Sequence, residues 1–163
     1  MAALVKTHQE KMEAVHHLEA LQNMYNKLSN DMKSEFLKKL GIIKDIASLQ
    51  QQQQQQPTKM LDHVQTIMAK YTIPKYINIT DELYPGFTDK LDRHFPNVKL
   101  TELEKVICCL IACGFTNQEI AFFIHKNKDT QSVDRMRNRI RQKLNVPHAK
   151  NFQDFLIDIY RNN

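Results

Sequence analysis

The chain has 163 residues, a length that suits one domain or a small domain with an extension. It contains only 3 Gly and 5 Pro, and no stretch alternates polar and apolar residues long enough for a sheet, so an all-α fold is predicted. No segment approaches the ~18 uninterrupted apolar residues of a membrane span, and the N-terminus lacks a signal-peptide core. The formal net charge is +5, and a cluster of basic residues would suit binding to a polyanionic partner. We therefore expect a basic, helical, cytoplasmic protein.

Residues 1–72 are predicted to form a long helical hairpin or coiled coil. A single helix over Leu4–Leu49 would carry apolar residues at steps of mainly three and four, as in a heptad seam, with a stutter after Met32. We assign dimerisation to the seam residues Leu18, Leu21, Tyr25, Leu28 and Met32. The alternative is an amphipathic helix that packs only on its own domain. A second helix over Thr58–Tyr71 is expected to fold back on the first.

Residues 50–56 form an unbroken run of seven glutamines that ends at Pro57. Because glutamine is a fair helix former, the run either extends the preceding helix or forms a flexible spacer. Residues 73–95 are interpreted as a linker, over Ile73–Ile79, and a lead-in helix. The remaining residues, 96–163, are predicted to be a helix-turn-helix DNA-binding domain.

Helix boundary signals in this last segment are clear. Thr101 precedes a helix as N-cap, and Glu104 stands at the capping-box position three residues later. Gly114 ends that helix, and Thr116 with Glu119 repeats the capping pattern for the next one. The two helices are therefore predicted to be short and separated by a tight turn.

A third helix in this segment carries five basic residues: Arg135, Arg137, Arg139, Arg141 and Lys143. At about 100° per residue its core stripe would consist of Val133, Met136, Ile140 and Leu144. The centre of the opposite face falls on Asn138 and Gln142, with Asp134 and Arg135 at its N-terminal end. Amide side chains can pair with adenine edges, and flanking cations can contact phosphates. This pattern predicts a helix that enters the DNA major groove.

The segment also resembles a known family, the LuxR-type (GerE-like) helix-turn-helix domain of bacterial transcription regulators. The matching residues lie within Pro96–Tyr160 and are Leu100, Thr101, Glu104, Ile111, Ala112, Gly114, the run Thr116–Ala121, Ser132, Val133, Ile140, Lys143, Leu144 and Val146. Asn145 stands where the family commonly has glycine, and asparagine tolerates the left-handed conformation that a helix end needs there.

The resemblance implies a four-helix domain whose third helix enters the major groove and whose last helix, Phe152–Arg161, commonly forms a dimer contact. Taken with the helical face, it predicts base contacts from Asp134, Arg135, Asn138 and Gln142. Predicted phosphate contacts are Ser132, Arg137, Arg139, Arg141 and Lys143. Phe152, Phe155 and Ile159 fit dimerisation, or packing against the first helix of the domain. In such regulators an upstream sensor region or a partner supplies the signal.

Other classes of function have little support in the sequence. A metal site needs three or four converging ligands, and the candidates are Cys109, Cys113 and His125, of which the cysteines lie in an apolar helix. Neither a metal nor a cofactor is therefore expected. The chain holds no phosphate-binding glycine loop, nucleophile elbow or HExxH motif, so no enzymatic activity is predicted. We therefore predict a dimeric, sequence-specific regulator that binds double-stranded DNA. The alternative is a coiled-coil assembly module whose helix-turn-helix-like domain contacts protein.

Overall fold

The structure, a computed structural model, describes residues 2–26, 32–125 and 130–162. Within these ranges the chain forms α-helices and one 3-10 turn but no strand, which confirms the predicted all-α fold. The chain divides into two compact units, Met1–Tyr71 and Thr72–Asn163. No helix in the described ranges has the length and apolar character needed to cross a membrane.

The first unit contains four α-helices in its described residues. They are α1 (Ala2–Asn26), α2 (Met32–Leu40), α3 (Ile42–Gln55) and α4 (Met60–Met68), with the 3-10 turn Pro57–Lys59 before α4. The prediction of one helix over Leu4–Leu49 is wrong, because α2 ends at Leu40 and Gly41, whose φ of 84° is left-handed, separates it from α3. Glycine adopts that conformation at little cost, so the chain can turn there. The glutamine run continues α3 as far as Gln55.

Helices α1, α3 and α4 contact one another and share a core. Leu18 and Leu21 of the predicted dimer seam are 3% and 0% exposed within this unit. Their burial corrects the predicted dimerisation role, because side chains covered by their own chain have no surface to offer a second copy. Met32 is half-buried, and the side chains of Tyr25 and Leu28 lie outside the described residues. The unit thus matches the alternative of amphipathic helices that pack on their own domain.

Apolar and polar contacts both attach α4 to the rest of the first unit. One apolar face of this helix is buried: Met60, Val64, Ile67, Met68 and the following Tyr71. Ser48 of α3 and His63 of α4 form a 2.6 Å hydrogen bond, and the Tyr71 hydroxyl donates to Asp45. The predicted helix over Thr58–Tyr71 begins later than expected, because Thr58 lies inside the 3-10 turn and α4 starts at Met60.

The second unit contains six described helices. They are α5 (Ile73–Leu83), α6 (Phe87–His94), α7 (Glu102–Ala112), α8 (Asn117–His125), α9 (Thr130–Lys143) and α10 (Phe152–Arg161). The predicted linker over Ile73–Ile79 is wrong, since those residues begin α5. Pro74 lies in the first turn, where its missing N–H breaks no helical hydrogen bond. Tyr76 and Ile79 of α5 are buried, and α5 packs on α7.

Helix α7 is the centre of the second unit and is buried along most of its length. Its capping box is present as predicted, with reciprocal bonds between Thr101 and Glu104. Gly114 (φ 94°) ends the helix: the Phe115 amide donates to Leu110, which is the geometry of a Schellman end. The helix contacts α5, α8, α9 and α10, so it fixes where each of them lies.

The three cysteines of this unit are free and buried. Burial raises the pKa of Cys108 and of Cys113 to about 12, and it raises the pKa of Cys109 as well. The thiols are therefore protonated at neutral pH and serve as small apolar side chains of the α7 core.

Candidate nucleic-acid interface

Helix α9 is held in the second unit by its apolar stripe. Val133, Ile140 and Leu144 are buried as predicted, while Met136 is half-buried. At its C-terminal end Asn145 has a φ of 53°, and the Val146 amide donates to the Arg141 carbonyl at 3.0 Å. The asparagine therefore takes the left-handed position in a Schellman end, as expected.

The opposite face of α9 is exposed and carries polar side chains. All four predicted base-contacting residues are exposed: Asp134, Arg135, Asn138 and Gln142. Arg139 is exposed beside them. We call Arg135, Asn138, Arg139 and Gln142 the outer row, because their spacing of three and four places them along one line of the helix. In the described part of the chain, neither Arg135 nor Arg139 has a hydrogen-bond or ion-pair partner.

The other three basic side chains of α9 have partners within the unit. Lys143 forms a 2.8 Å ion pair with Glu104, the capping residue of α7. Arg141 donates to the carbonyl oxygens of Pro147 and Lys150, at 3.0 Å each. Arg137 donates to the side chain of Asn117 at 2.9 Å. Of the four basic residues predicted to contact phosphate, Lys143, Arg141 and Arg137 are thus engaged internally, whereas Arg139 is not. Their phosphate contacts stay a prediction, and of the five basic residues of α9 only Arg139 and Arg135, a predicted base contact, present unpaired charge.

An aromatic ring lies beside two of these arginines. The guanidinium groups of Arg137 and Arg141 lie 5.8 Å and 5.6 Å from the ring centre of Phe152. Burial lowers the pKa of Arg137, and the charge of Arg141 lowers it further, while Asp134 acts in the opposite direction. Both arginines thus connect α9 to α10 through cation–π contacts.

The predicted dimer residues of α10 are largely covered by their own unit. Phe152 is 1% exposed and Ile159 is 6% exposed, so both belong to the core. Phe155 is half-buried and stacks on Phe95 with 6.2 Å between ring centres. This burial corrects the dimerisation role predicted for Phe152 and Ile159 and supports the alternative of packing within the domain.

Asn117, the first residue of α8, was missed by the sequence reasoning. Its amide nitrogen donates to Asp134, and its amide oxygen accepts from Arg137. Asp134 and Arg137 stand three residues apart on α9, a spacing that places both side chains toward α8. The sequence indicates only that Asn117 follows a capping threonine at the start of a helix. Its partners on α9 depend on how two helices pack, which the sequence does not show. Ser132, a predicted phosphate contact, is half-buried near the start of α9.

Comparison with known proteins adds no family assignment. No protein-family model matches the chain, and neither a curated protein nor a solved structure matches it. The likeness to LuxR-type regulators therefore stays a prediction made from the residues.

Proposed function

We propose that the protein is a sequence-specific regulator of transcription that binds double-stranded DNA with α9 in the major groove. The observation that carries the proposal is the outer row, in which two amides and two unpaired arginines share one exposed face. An α-helix fits the major groove of B-DNA, where base edges present distinct patterns of donors and acceptors. A row of this composition can contact both base edges and phosphates.

Roles within the outer row follow from side-chain chemistry. Asn138 and Gln142 can each make paired hydrogen bonds with adenine. Arg139 is proposed to contact phosphate, and Arg135 either the guanine edge or phosphate. Lys143, Arg141 and Arg137 hold α9 against α7 and α10 through their contacts with Glu104, the 147–150 turn and Phe152. Their proposed contribution to binding is the orientation of the helix.

Dimeric binding belongs to the proposal as well. Two copies of α9 would read half-sites about one DNA turn apart. The dimer contact is not assigned to Leu18 or Leu21 in α1 or to Phe152 in α10, since all three side chains are buried within their own units. An upstream sensor region or a partner protein is proposed to supply the signal.

Removal of the two unpaired arginines tests the electrostatic part of this proposal. We expect the double variant Arg135→Ala/Arg139→Ala to weaken binding to any duplex and to make the log–log salt slope shallower by about 1 to 2, since each phosphate contact contributes about 0.9 and Arg139, with or without Arg135, supplies them. Arg93 and Arg161 are also exposed, on α6 and α10. Arg93→Ala/Arg161→Ala removes the same charge and is the matched control. Equal losses in the two variants, measured by fluorescence anisotropy at several salt concentrations, would contradict an interface on α9.

Asn138 tests the base-reading part separately. Asn138→Ala should relax preference at one base pair at a cost of about 1–3 kcal/mol and leave binding to random DNA nearly unchanged. Selection and sequencing of bound duplexes, for wild type and variant, measure this preference directly. A variant that lost specific and random binding equally would exclude the assigned role of Asn138.

A second candidate function is a protein-assembly module, and one observation favours it. Three of the five basic residues of α9 are engaged internally, and Asp134 is exposed on the same helix. This reduces the charge available to a polyanion. Protein association through such a mixed surface should depend much less on salt than DNA binding does.

A further inference from the structure

Asn117 bridges the two charged side chains that α9 presents toward α8. Its Nδ2 group donates to Oδ1 of Asp134, and its Oδ1 accepts from Nη1 of Arg137 at 2.9 Å. The charges determine which way the amide points. The opposite orientation would place its oxygen against the carboxylate and its nitrogen against the guanidinium. One neutral side chain thus satisfies an anion and a cation at the same time.

The backbone beneath Asn117 is well fixed. Thr116 and Glu119 form reciprocal capping bonds of 2.9 Å and 3.2 Å around the start of α8. Because the Thr116 hydroxyl caps the helix, the Asn117 side chain has no capping role and extends across to α9. Asn117 is half-buried, and its hydrogen bond from Arg137 is partly shielded from water, whereas Asp134 and its hydrogen bond from Asn117 are exposed.

The bridge restricts the conformation and the hydrogen bonding of the Asp134 side chain. The hydrogen bond from Asn117 occupies one carboxylate oxygen of the exposed Asp134 side chain, and the other oxygen has no hydrogen-bond partner among the described residues. A free Asp side chain could rotate away or pair directly with Arg137. An acceptor held at the edge of the outer row would instead meet the amino group of a base, and cytosine N4 is the usual partner of an acidic side chain in the major groove.

Arg137 is restricted by the same bridge. Its guanidinium lies between the Asn117 amide oxygen and the Phe152 ring, 5.8 Å from the ring centre. It therefore stays on the α8 and α10 side of α9 while Arg135 and Arg139 face outward. The bridge thus keeps Arg137 apart from the cations of the outer row.

We infer that Asn117 is a positioning residue for sequence recognition: it holds Asp134 so that the protein favours a cytosine at one position of its site. The inference rests on the proposed DNA-binding function and names a determinant of its specificity. Asn117 itself contacts no DNA in this account and acts only through Asp134.

The test compares base preference across three variants by selection from a random duplex pool followed by competition binding. Wild type should favour cytosine at one position by roughly tenfold, the range expected for a single good contact. Asn117→Ala and Asp134→Ala should each reduce that preference to about twofold or less, at the same position, and the double variant should lose no more. Asn78→Ala, at an exposed asparagine of α5, is the control and should retain the preference.

An exchange variant separates positioning from a general loss of structure. In Asn117→Asp/Asp134→Asn the carboxylate at 117 can accept from both the amide at 134 and Arg137, so the bridge is retained with its groups reversed. This variant should keep the wild-type melting temperature and lose the cytosine preference in favour of adenine, the partner of asparagine.

The possible outcomes separate the positioning role of Asn117 from the DNA-binding function on which it rests. An unchanged preference in Asn117→Ala, or an equal loss on all sequences with a normal melting temperature, overturns the positioning role. Failure of wild type itself to bind any duplex at low salt overturns the proposed function instead. A preference lost in Asn117→Ala but kept in Asp134→Ala would also contradict the inference, since Asn117 is then acting through another group.

Discussion

Phe152→Ala should destabilise the second unit by about 3–5 kcal/mol, the usual cost of truncating a fully buried phenylalanine. Phe152 is 1% exposed, and its ring lies beside the guanidinium groups of both Arg137 and Arg141. The substitution therefore opens a cavity and removes two cation–π contacts that connect α9 with α10. Urea unfolding monitored by circular dichroism measures the loss.

Phe152→Leu separates the cavity from the ring contacts. Leucine fills most of the space and should cost only about 1.5 kcal/mol, but it offers the arginines no aromatic face. If Phe152 instead served a dimer contact, alanine would change the sedimentation coefficient with little effect on unfolding of the monomer. That result would restore the role predicted from the sequence and contradict the burial of this side chain.

Glu104→Ala is expected to have the second-largest effect, a loss of about 2–4 kcal/mol. The carboxylate accepts from the Thr101 amide at 2.9 Å, completing the capping box, and pairs with Lys143 at 2.8 Å. Breaking a buried ion pair costs about 3–5 kcal/mol, and we reduce that figure because the Lys143 side chain is 35% exposed. Glu102→Ala, one helical position into α7 and exposed, is the control and should cost less than about 1 kcal/mol.

The same carboxylate gives this contribution a pH dependence. Burial acts to raise the pKa of Glu104, but hydrogen bonds from Lys143 and Thr101 outweigh it and hold the pKa below its ordinary value of 4.5. A lowered folded-state pKa means that the stabilisation is present above pH 4.5 and disappears as the pH falls through the folded-state value. The difference in unfolding free energy between wild type and Glu104→Gln should therefore shrink on acidification from pH 6 to pH 3. A difference that stayed constant would show that the charge of Glu104 does not stabilise the fold.

Local signals in the sequence were sufficient to predict much of the secondary structure of the second unit. Thr101 with Glu104 and Thr116 with Glu119 form the predicted capping bonds, and α10 spans Phe152–Arg161 as expected. Both partners of each capping bond lie close together in the chain, so the sequence alone identifies the interaction. The exposed face of α9 follows for the same reason, since helical periodicity alone separates Val133 from Asn138.

Features that depend on contacts between distant segments could not be predicted in this way. A helical wheel treats the five basic residues of α9 as equivalent, whereas Glu104, Asn117 and Phe152 on three other helices engage three of them. The break at Gly41 was missed because heptad spacing continues across it, and a glycine costs a helix only about 1 kcal/mol. The linker predicted over Ile73–Ile79 contains Pro74, and a proline in the first turn is compatible with a helix, so the proline alone does not distinguish the two structures.

Binding of the intact protein to a random-sequence duplex pool, measured across ionic strength, distinguishes sequence-specific DNA binding from the alternatives. With Arg139 as a phosphate contact and Arg135 on either phosphate or a guanine edge, the log–log salt slope should be about −1 to −2 per bound chain, against about −4.5 if all five basic residues of α9 contacted phosphate. Sequencing of the bound fraction should reveal an enriched motif with adenine positions read by the outer row. Absence of binding at low salt, or salt-dependent binding with no enriched motif, would contradict a sequence-specific DNA-binding function.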